Sequence, residues 1–472
     1  MQTWLAKNAA RQLSAKIGAQ VTINRINIRL FNRMEFNGLM VADRHKDTLL
    51  YAGKAKMAIS NWFFLKDKAT ISYLQLDKAE FNFHRTDSIW NYQFILDYFD
   101  TPTNKNKEKN KIELNINSLR LTHVVFNKKD AWIGQDQKIS AKDILVNMDK
   151  IDYVKKQILV KDINLISPIF AQSDYTGNRL PQPNLSAILK RIPITSALRW
   201  NNSGWQVRVS TLKIKDGIFQ NDKETVREPY DDRFDGQHIL FYDINGSIKN
   251  LSAIRDTFSG HIQVSAQEKC GLIVKEVNAD MRFTPVLMEF NNLTLKTNRS
   301  ELGNYYSMKY DSFNKDMANF ISDVVLTGHF KNSIIHSNDI AFFAPELKKW
   351  NRLFNFEGNA TGTVEDFIAR DMKIKSGMSY LEGDFAMKGL PDIDSTIMKL
   401  DAKTLATHYF DLINFFPAIK DLKTPRISAL GKLYFIGQAS GSLYNFTTTG
   451  NFRSDIGAIG ANQFNINLSK KD

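Results

Sequence analysis

The feature that most restricts the fold of this chain is a period of two. "INIRL" (26–30), "KAKMAIS" (54–60), "FNFHR" (81–85), "KIELNINSLRL" (111–121) and "STLKIKDGIF" (210–219) all alternate apolar with polar residues. A strand with one dry face and one wet face must alternate in this way. Turn signals such as "FNG", "KDG", "ING" and "SG" separate the runs at short intervals, which predicts sequential antiparallel strands rather than parallel βαβ units.

Two stretches add a second constraint. In "FNFEGNATGTVEDF" (354–367) two glycines sit inside a strand-like alternation, and "LYFIGQASGSLYNF" (433–446) repeats the pattern, with Phe435, Gly437, Gly441 and Phe446 in the places of Phe356, Gly358, Gly362 and Phe367. Glycine weakens a strand interior, so its recurrence speaks of architecture rather than of one turn. Parity puts Phe354, Phe356, Gly358, Ala360, Gly362 and Val364 on one face, and Leu433, Phe435, Gly437, Ala439, Gly441 and Leu443 on the equivalent face. Leu240, Tyr242, Ile244 and Gly246 follow the same parity, as do Val324, Leu326, Gly328 and Phe330. A Gly-Ala-Gly gap on an apolar face lets the sheet curl, lets a neighbouring aromatic drop in, or leaves room for an apolar guest. For a guest, ten strands at about 4.8 Å spacing would offer a trough of roughly 48 Å. On that reading, phenylalanine at Gly358 and Gly441 obstructs the trough and leaves the strands formed.

Helical islands interrupt the strands. Residues 2–18 read as an amphipathic helix, with Leu5, Ala9, Leu13 and Ile17 at four-residue spacing and Gly18 as its stop. "SIWNYQFILDYF" (88–99) and "NLSAILKRI" (184–192) read as two more. "DIAFFAPELKKW" (339–350) and "DLINFFPAIKDL" (411–422) match each other, with a proline six residues after the aspartate, where it suits the first turn of a second short helix. Each island precedes a two-glycine strand. The repeat distance is 72 residues from Asp339 to Asp411 and 79 from Gly358 to Gly437, which predicts stacked supersecondary units. "NGSIKNL" (245–251) and "TGHFKN" (327–332) are looser relatives.

The expected organisation is an N-terminal helix with strands closed by a short helix (1–100), a polar linker (101–111) containing the run "KNKEKNK", a β segment (112–337), one repeat unit (338–409) and a second, truncated unit (410–472). The alternation runs on to "FNINLSKKD", which leads us to expect a portion of a longer chain. The expected fold class is mainly β: a repetitive antiparallel curled sheet forming an open groove, with short capping helices.

Chemistry is scarce. The net charge is +13, but Lys and Arg are interspersed with acidic residues, so no nucleic-acid footprint stands out. Cys270 is the single cysteine, which excludes an intramolecular disulfide and a multi-cysteine zinc site. The eight histidines (His45, His84, His123, His238, His261, His329, His336, His408) are widely spaced and form no His-x-His or His-Glu-x-x-His pair. Nucleophile-elbow, phosphate-loop and dinucleotide fingerprints are missing. Asp231 and Asp232 lie in the polar stretch "EPYDDRFDG", which reads as a turn rather than an acid/base pair. No window approaches the roughly 20 apolar residues of a membrane span. The expectation is no catalytic site, no metal and no cofactor.

The run from "VTINRINIRLFNRMEFNGLMVADRHKDTLLYAGKAKMAISNWFFLKDKATISYLQLDKAEFNFHR" to "WNYQFILDYF", with "FEGNATGTVEDF", "KGLPDIDST" and "GKLYFIGQASGSLYNF", resembles the N-terminal region of TamB-type proteins of Bacteroidetes, in the AsmA-like superfamily. The resemblance covers most of the chain as a diffuse β-repeat pattern. It implies an inner-membrane-anchored periplasmic protein whose incompletely closed β-groove carries phospholipid toward the outer membrane, or assists outer-membrane protein assembly with a barrel partner. The family's anchor helix and its C-terminal domain have no counterpart in these residues. Trp4, Lys7, Arg11 and Lys16 are the candidate membrane-surface residues, the alternative being a helix that plugs the end of the sheet. Lipid transport is the leading expectation. A scaffold for outer-membrane protein assembly and a glycan-binding or adhesive β-protein are the alternatives.

Overall fold

The alternating runs form strands throughout the computed structural model, which describes residues 2–29, 33–59, 68–100, 111–152, 154–179, 200–201, 203–392, 395–415, 420, 427–442 and 445–467. Two units emerge: residues 1–256 with 264–269, and residues 257–263 with 270–472.

The first unit opens with helix α1 (Gln2–Ile17). Gly18 ends it at φ +68, its N–H donating to the Ser14 carbonyl at 3.0 Å, the left-handed stop that glycine adopts without strain. The Val21 N–H then donates to Ser14 Oγ at 2.8 Å, which fixes the turn into β1 (Val21–Arg29). Strands β1, β2 (Arg33–Ala42), β3 (Thr48–Ile59) and β4 (Lys68–Arg85) follow as antiparallel neighbours. The face of α1 that meets them is small: Ala6 and Ala10 are buried in one cluster with Val21, Ile23, Ile26, Leu76 and Val124. Trp4, Lys7 and Arg11 stay exposed.

The expectation of sequential antiparallel pairing holds for most neighbours but not all. Strand β4 pairs in parallel with β5 (Lys111–Asp130). Helix α2 (Gln93–Asp100) lies in the crossover between them, and such a connection, unlike a tight turn, can return the chain to the same end of the sheet. Strand β6 (Gln135–Asp152) pairs antiparallel with β5 and carries two shorter strands in line: β7 (Gln157–Ile166) against residues 143–152 and β8 (Ile169–Asp174) against residues 135–140. Ser167, at φ +47, and Pro168 break the two apart. Both then pair in parallel with β9 (Gln206–Lys223), which is antiparallel to β10 (His238–Ile254). Strand β11 (Thr257–Glu268) contributes residues to both units.

Helix α2 begins at Gln93 rather than at Ser88. Asn91 explains the late start: its Oδ1 accepts the His84 N–H at 3.0 Å and its Nδ2 donates to the Asn82 carbonyl at 3.0 Å, side-chain bonds that compete with helix formation. The islands 184–192 and 417–419, the linker residues 101–110 and Leu443 lie outside the described residues.

The second unit is a plain antiparallel meander: β12 (Ile273–Thr284), β13 (Leu287–Thr297), β14 (Glu301–Lys309), β15 (Val325–His336), β16 (Leu353–Gly362), β17 (Asp366–Ser376), β18 (Ser379–Lys388), β19 (Ile397–His408), β20 (Lys432–Gly441), β21 (Asn445–Ser454) and β22 (Gly457–Asn467). The matched islands become the short helix Ser337–Ile340 with the 3₁₀ turn Pro345–Lys349, and the helix Tyr409–Phe415. Pro345 takes the first position of its turn, where its missing N–H costs nothing. With these caps the repeat becomes concrete. Strands β13 to β16 form one four-strand unit and β17 to β20 the next, with the cap before the last strand of each.

Candidate functional site

Cross-strand register sorts the dry face of the second unit into rows. Farthest from the caps, a single row of directly opposed residues runs Phe283–Met288–Met308–Leu326–Gly362–Phe367–Met387–Met398–Gly441–Phe446. Every one of them is half-buried and none carries a charge. The next row, Phe290–Tyr306–Gly328–Ala360–Ala369–Phe385–Leu400–Ala439–Thr448, sets two pairs of bulky side chains apart by a run of small ones. On the cap side stand Phe356, Ile374, Leu381, Leu405, Phe435 and Phe452, again in direct register. Fully buried positions occur between these rows and on the cap side, at Leu293, Ser333, Met372, Ala402 and Phe435, in the second row, at Ala369 and Thr448, and beyond the outer row at Tyr310 and Val324, next to the short helices Phe313–Ala318 and Phe320–Asp323.

Between the second row and the cap side the strands are irregular, all at one level. Register shifts fall at Asn291/Leu293, Phe330/Ser333, Glu357/Asn359, Ala369/Met372 and Ala402/Leu405. The extra residue is often Asn or Asp in the left-handed region: Asn292 (φ +52), Asn332 (φ +49) and Asp371 (φ +52), residues that tolerate it best after glycine. Each bulge bends its strand and increases its twist. The looser motifs "NGSIKNL" and "TGHFKN" thus mark such positions, since Asn250 (φ +52) has the same conformation as Asn332.

Gly358 and Gly437 belong to this level, and Gly362 and Gly441 to the outer row. Gly358, Gly362, Gly437 and Gly441 all have φ between +136 and +148, a region side chains avoid. A Cβ on Gly358 would meet Met372 Cα at 2.9 Å and the Arg370 carbonyl oxygen at 3.0 Å, and one on Gly441 would meet Phe446 Cα at 2.6 Å. These sites are closed by the neighbouring backbone. The expectation that phenylalanine at Gly358 and Gly441 leaves the strands formed is therefore corrected: the side chain would have to displace the adjacent strand. Gly328 illustrates the second of the three sequence readings, a neighbouring aromatic that drops in, because the Phe330 ring occupies the space its side chain would take.

Burial alternates along β16 and β20 as parity requires, with Phe354, Phe356, Gly358, Ala360 and Gly362, and Leu433, Phe435, Gly437, Ala439 and Gly441, on the drier side. Val364 is half-buried in the turn after β16. In β10 parity does not carry through. Register shifts between Phe241 and Ile244 and between Ile244 and Gly246 interrupt it, so Leu240 opposes Gln220 while Ile244 opposes Gly217 and Gly246 opposes Ile214. Leu240, Tyr242, Ile244 and Gly246 cannot be assigned to one face by counting alone.

The caps are anchored by the aspartates that sequence matching singled out. Asp339 Oδ2 accepts from Thr297 Oγ1 at 2.5 Å and Ser300 Oγ at 2.6 Å, in the β13–β14 turn. Asp411 Oδ2 accepts from the Met378 N–H at 2.8 Å and Ser379 Oγ at 2.9 Å, in the β17–β18 turn. Arg352 Nη1 lies 3.1 Å from Asp411 Oδ1. Each cap is thus tied back to the hairpin two strands earlier. Trp350 of the first cap meets Phe354 and Phe415, with centroids 6.1 and 5.4 Å apart. That places Phe354 under the caps rather than in the open rows.

Elsewhere, Asp231 and Asp232 are exposed in a bend, and the carboxylate that matters in that loop is Asp235, which is buried. Arg227 grips it with two hydrogen bonds of 2.8 and 2.6 Å. The guanidinium and two backbone N–H groups hold the Asp235 carboxyl well below the usual carboxylate range. Asp43, Asp47 and His84 come within 4.8 Å of one another, a grouping hidden from the sequence by the separation of His84 from the other two. Asn91 Nδ2 already spans it, 3.2 Å from Asp43 Oδ2 and 3.0 Å from His84 Nδ1, so the grouping works as a knot between the β2–β3 turn and β4. What sequence reading missed is the methionine-bearing outer row, because its members become neighbours only through register. No protein-family model matches the chain, and comparison with curated proteins gives no match.

Proposed function

We propose that the dry face of the second unit holds acyl chains and that the protein moves phospholipid between the inner and outer membranes from a periplasmic position. The carrying observation is the outer row: from Phe283 to Phe446 ten directly opposed residues are uncharged and none of them is fully buried. Monomeric proteins rarely leave a contiguous face of this kind in water, and where they do it meets a ligand, a membrane or a partner. Tyr306, in the second row, supports the reading. Desolvation by its apolar surroundings raises its hydroxyl pKa to about 12. The bulges and left-handed glycines supply the local bending that such a surface needs. The resemblance to TamB-type proteins points the same way.

The exposed side of α1, with Trp4, Lys7 and Arg11, fits contact with a membrane surface, and an outer-membrane barrel protein fits as the receiving partner. The test is lipid extraction from protein purified without detergent, followed by mass spectrometry. Stoichiometric phospholipid is the expected result. A lipid-free extract from folded protein, with no uptake from added vesicles, removes the proposal.

A further inference from the structure

The wet face of the second unit carries a row of its own. Register opposes Lys375, Tyr380, Ala406, Tyr434 and Arg453 in turn across β17 to β21, so two tyrosines flank a small residue and two cations flank the tyrosines. Elsewhere in the chain an aromatic beside cations is covered by them. Tyr230 has the guanidinium groups of Arg227 and Arg233 over it, 4.2 and 4.5 Å from its centroid, and Trp90 has that of Arg85 at 4.6 Å. Neither Tyr380 nor Tyr434 has a ring or a cation stacked on it among the described residues. Tyr380 Oη donates to Glu382 Oε2 at 2.9 Å, while Tyr434 is 43% exposed. The cations are unspent as well. Lys375, Arg453 and Lys432, which lies two residues before Tyr434 and so on the same face, are exposed and form no ion pair among the described residues. The acidic groups beside them are engaged: Glu382 by Tyr380, and Asp455 by the Lys432 N–H at 2.9 Å.

We infer that this row binds an acidic glycan, a linear polysaccharide of pyranose rings that bear carboxylates, lying across the strands. The negative face of an aromatic ring attracts the polarised C–H groups on the flat side of a sugar, and Tyr380 and Tyr434 offer two such faces. They stand two strands apart, about 9.6 Å, with only the methyl group of Ala406 between them, so each seats a separate ring. Lys375 and Arg453 at the two ends and Lys432 at the side supply charge-assisted hydrogen bonds to carboxylates. Exposed amides at Asn355, opposite Lys375, and Asn451, two residues before Arg453, are donors and acceptors for sugar hydroxyls. Five strands by the stretch from Lys432 to Ile436 make a footprint of about 19 by 14 Å, roughly 270 Å², against the roughly 800 Å² that a folded partner needs. A single-stranded nucleic acid is held by a groove with positive charge along its whole backbone, whereas the charge here is confined to the ends and one side of the row. The site lies on the opposite face of the sheet from the proposed acyl-chain surface, so the two readings stand or fall separately.

The test measures binding of the full chain to immobilised polygalacturonate and alginate by biolayer interferometry, at about 0.15 M salt to screen diffuse charge attraction. Dextran supplies rings without charge, polyglutamate charge without rings, and poly(dT) bases with phosphates. One of the two acidic glycans is expected to bind at least about tenfold more tightly than any of these three. Tyr434→Ala should weaken it about tenfold and Arg453→Gln about threefold. Tyr434→Phe, which keeps the ring, and Lys399→Gln, on the wet face outside the row, should stay within about twofold. Circular dichroism checks the fold of each variant, and Arg453→Gln keeps the test decisive if Tyr434→Ala misfolds. Polyglutamate bound as tightly, with Tyr434→Ala without effect, overturns the proposal in favour of a plain cationic surface. Tighter binding of poly(dT) overturns it in favour of a nucleic-acid platform, and folded protein that binds neither glycan overturns it outright.

Discussion

At the scale of single residues, the paired glycines serve the backbone. Gly358 and Gly437 have φ +137 and +148, and a methyl group at either would press on the adjacent strand. Gly358→Ala and Gly437→Ala are each expected to cost about 1–3 kcal/mol, read as a lowered urea midpoint. Gly457→Ala is the control, since a Cβ there meets nothing within 4 Å, and its effect should stay within about 0.5 kcal/mol. Asp235 supplies a pH test. Its folded-state pKa is depressed by Arg227, so its contribution to stability is complete above the ordinary carboxylate range and disappears as pH falls through the depressed value. Arg227→Ala should therefore raise the pH at which residues 225–237 open in acid, as followed by hydrogen exchange. Parity in the sequence was enough to put Gly358 and Gly437 on the dry face. It could not reveal that their Cβ positions were taken, because that depends on the strands next door: the bulge at Asp371 beside Gly358, and the backbone of Thr449 and Gly450 beside Gly437.

Single elements carry the repeat. The spacing of the two islands identified Asp339 and Asp411 as equivalent, and their equivalence turns out to be a shared job: each buried carboxylate ties its cap to a hairpin turn two strands back. Asp339→Ala leaves the Thr297 and Ser300 hydroxyls without this acceptor and is expected to cost about 1–3 kcal/mol, with faster hydrogen exchange in residues 297–300 and 337–340. Oxidation reads the exposed row directly. Peroxide transfers one oxygen to a thioether, giving a sulfoxide and water, so access controls the rate. Met288, Met308, Met387 and Met398 should oxidise faster than Met281 and Met372, which are 7% and 5% exposed, as measured by peptide mass spectrometry over a time course. Equal rates would mean the row is covered. The helices were less legible than the strands. The late start of α2 follows from one asparagine side chain, and the parallel pairing of β4 with β5 from the length of a connection, neither of which leaves a periodic mark.

At the scale of the molecule, the second unit is a chain of near-neighbour contacts, so its stability should approximate a sum over repeats and their interfaces. Removing residues 362–440 joins Thr361 to Gly441 and takes out one whole repeat while keeping the phase of every row. That deletion is expected to give a folded protein with unchanged strand content by circular dichroism. Removing only β17 and β18 breaks the phase and separates a cap from its hairpin, and should give a less cooperative melt. The β-rich class and the alternation of the two-glycine strands were visible in the sequence, because each rests on spacing within one strand. The rows were not, because a row takes one residue from each strand and exists only once every register is set.

The recurrence of a glycine at the fourth position of each repeat in the outer row has a dynamic consequence. Four strands at about 4.8 Å give a spacing of about 19 Å between Gly362 and Gly441, so the surface is corrugated with a fixed wavelength: gripping side chains, then a smooth gap. An aliphatic chain on such a surface sits in shallow, nearly identical wells, and its favoured move is a slip of one wavelength. Under the proposed function, the spacing of the glycines would then set the stride of a bound acyl chain.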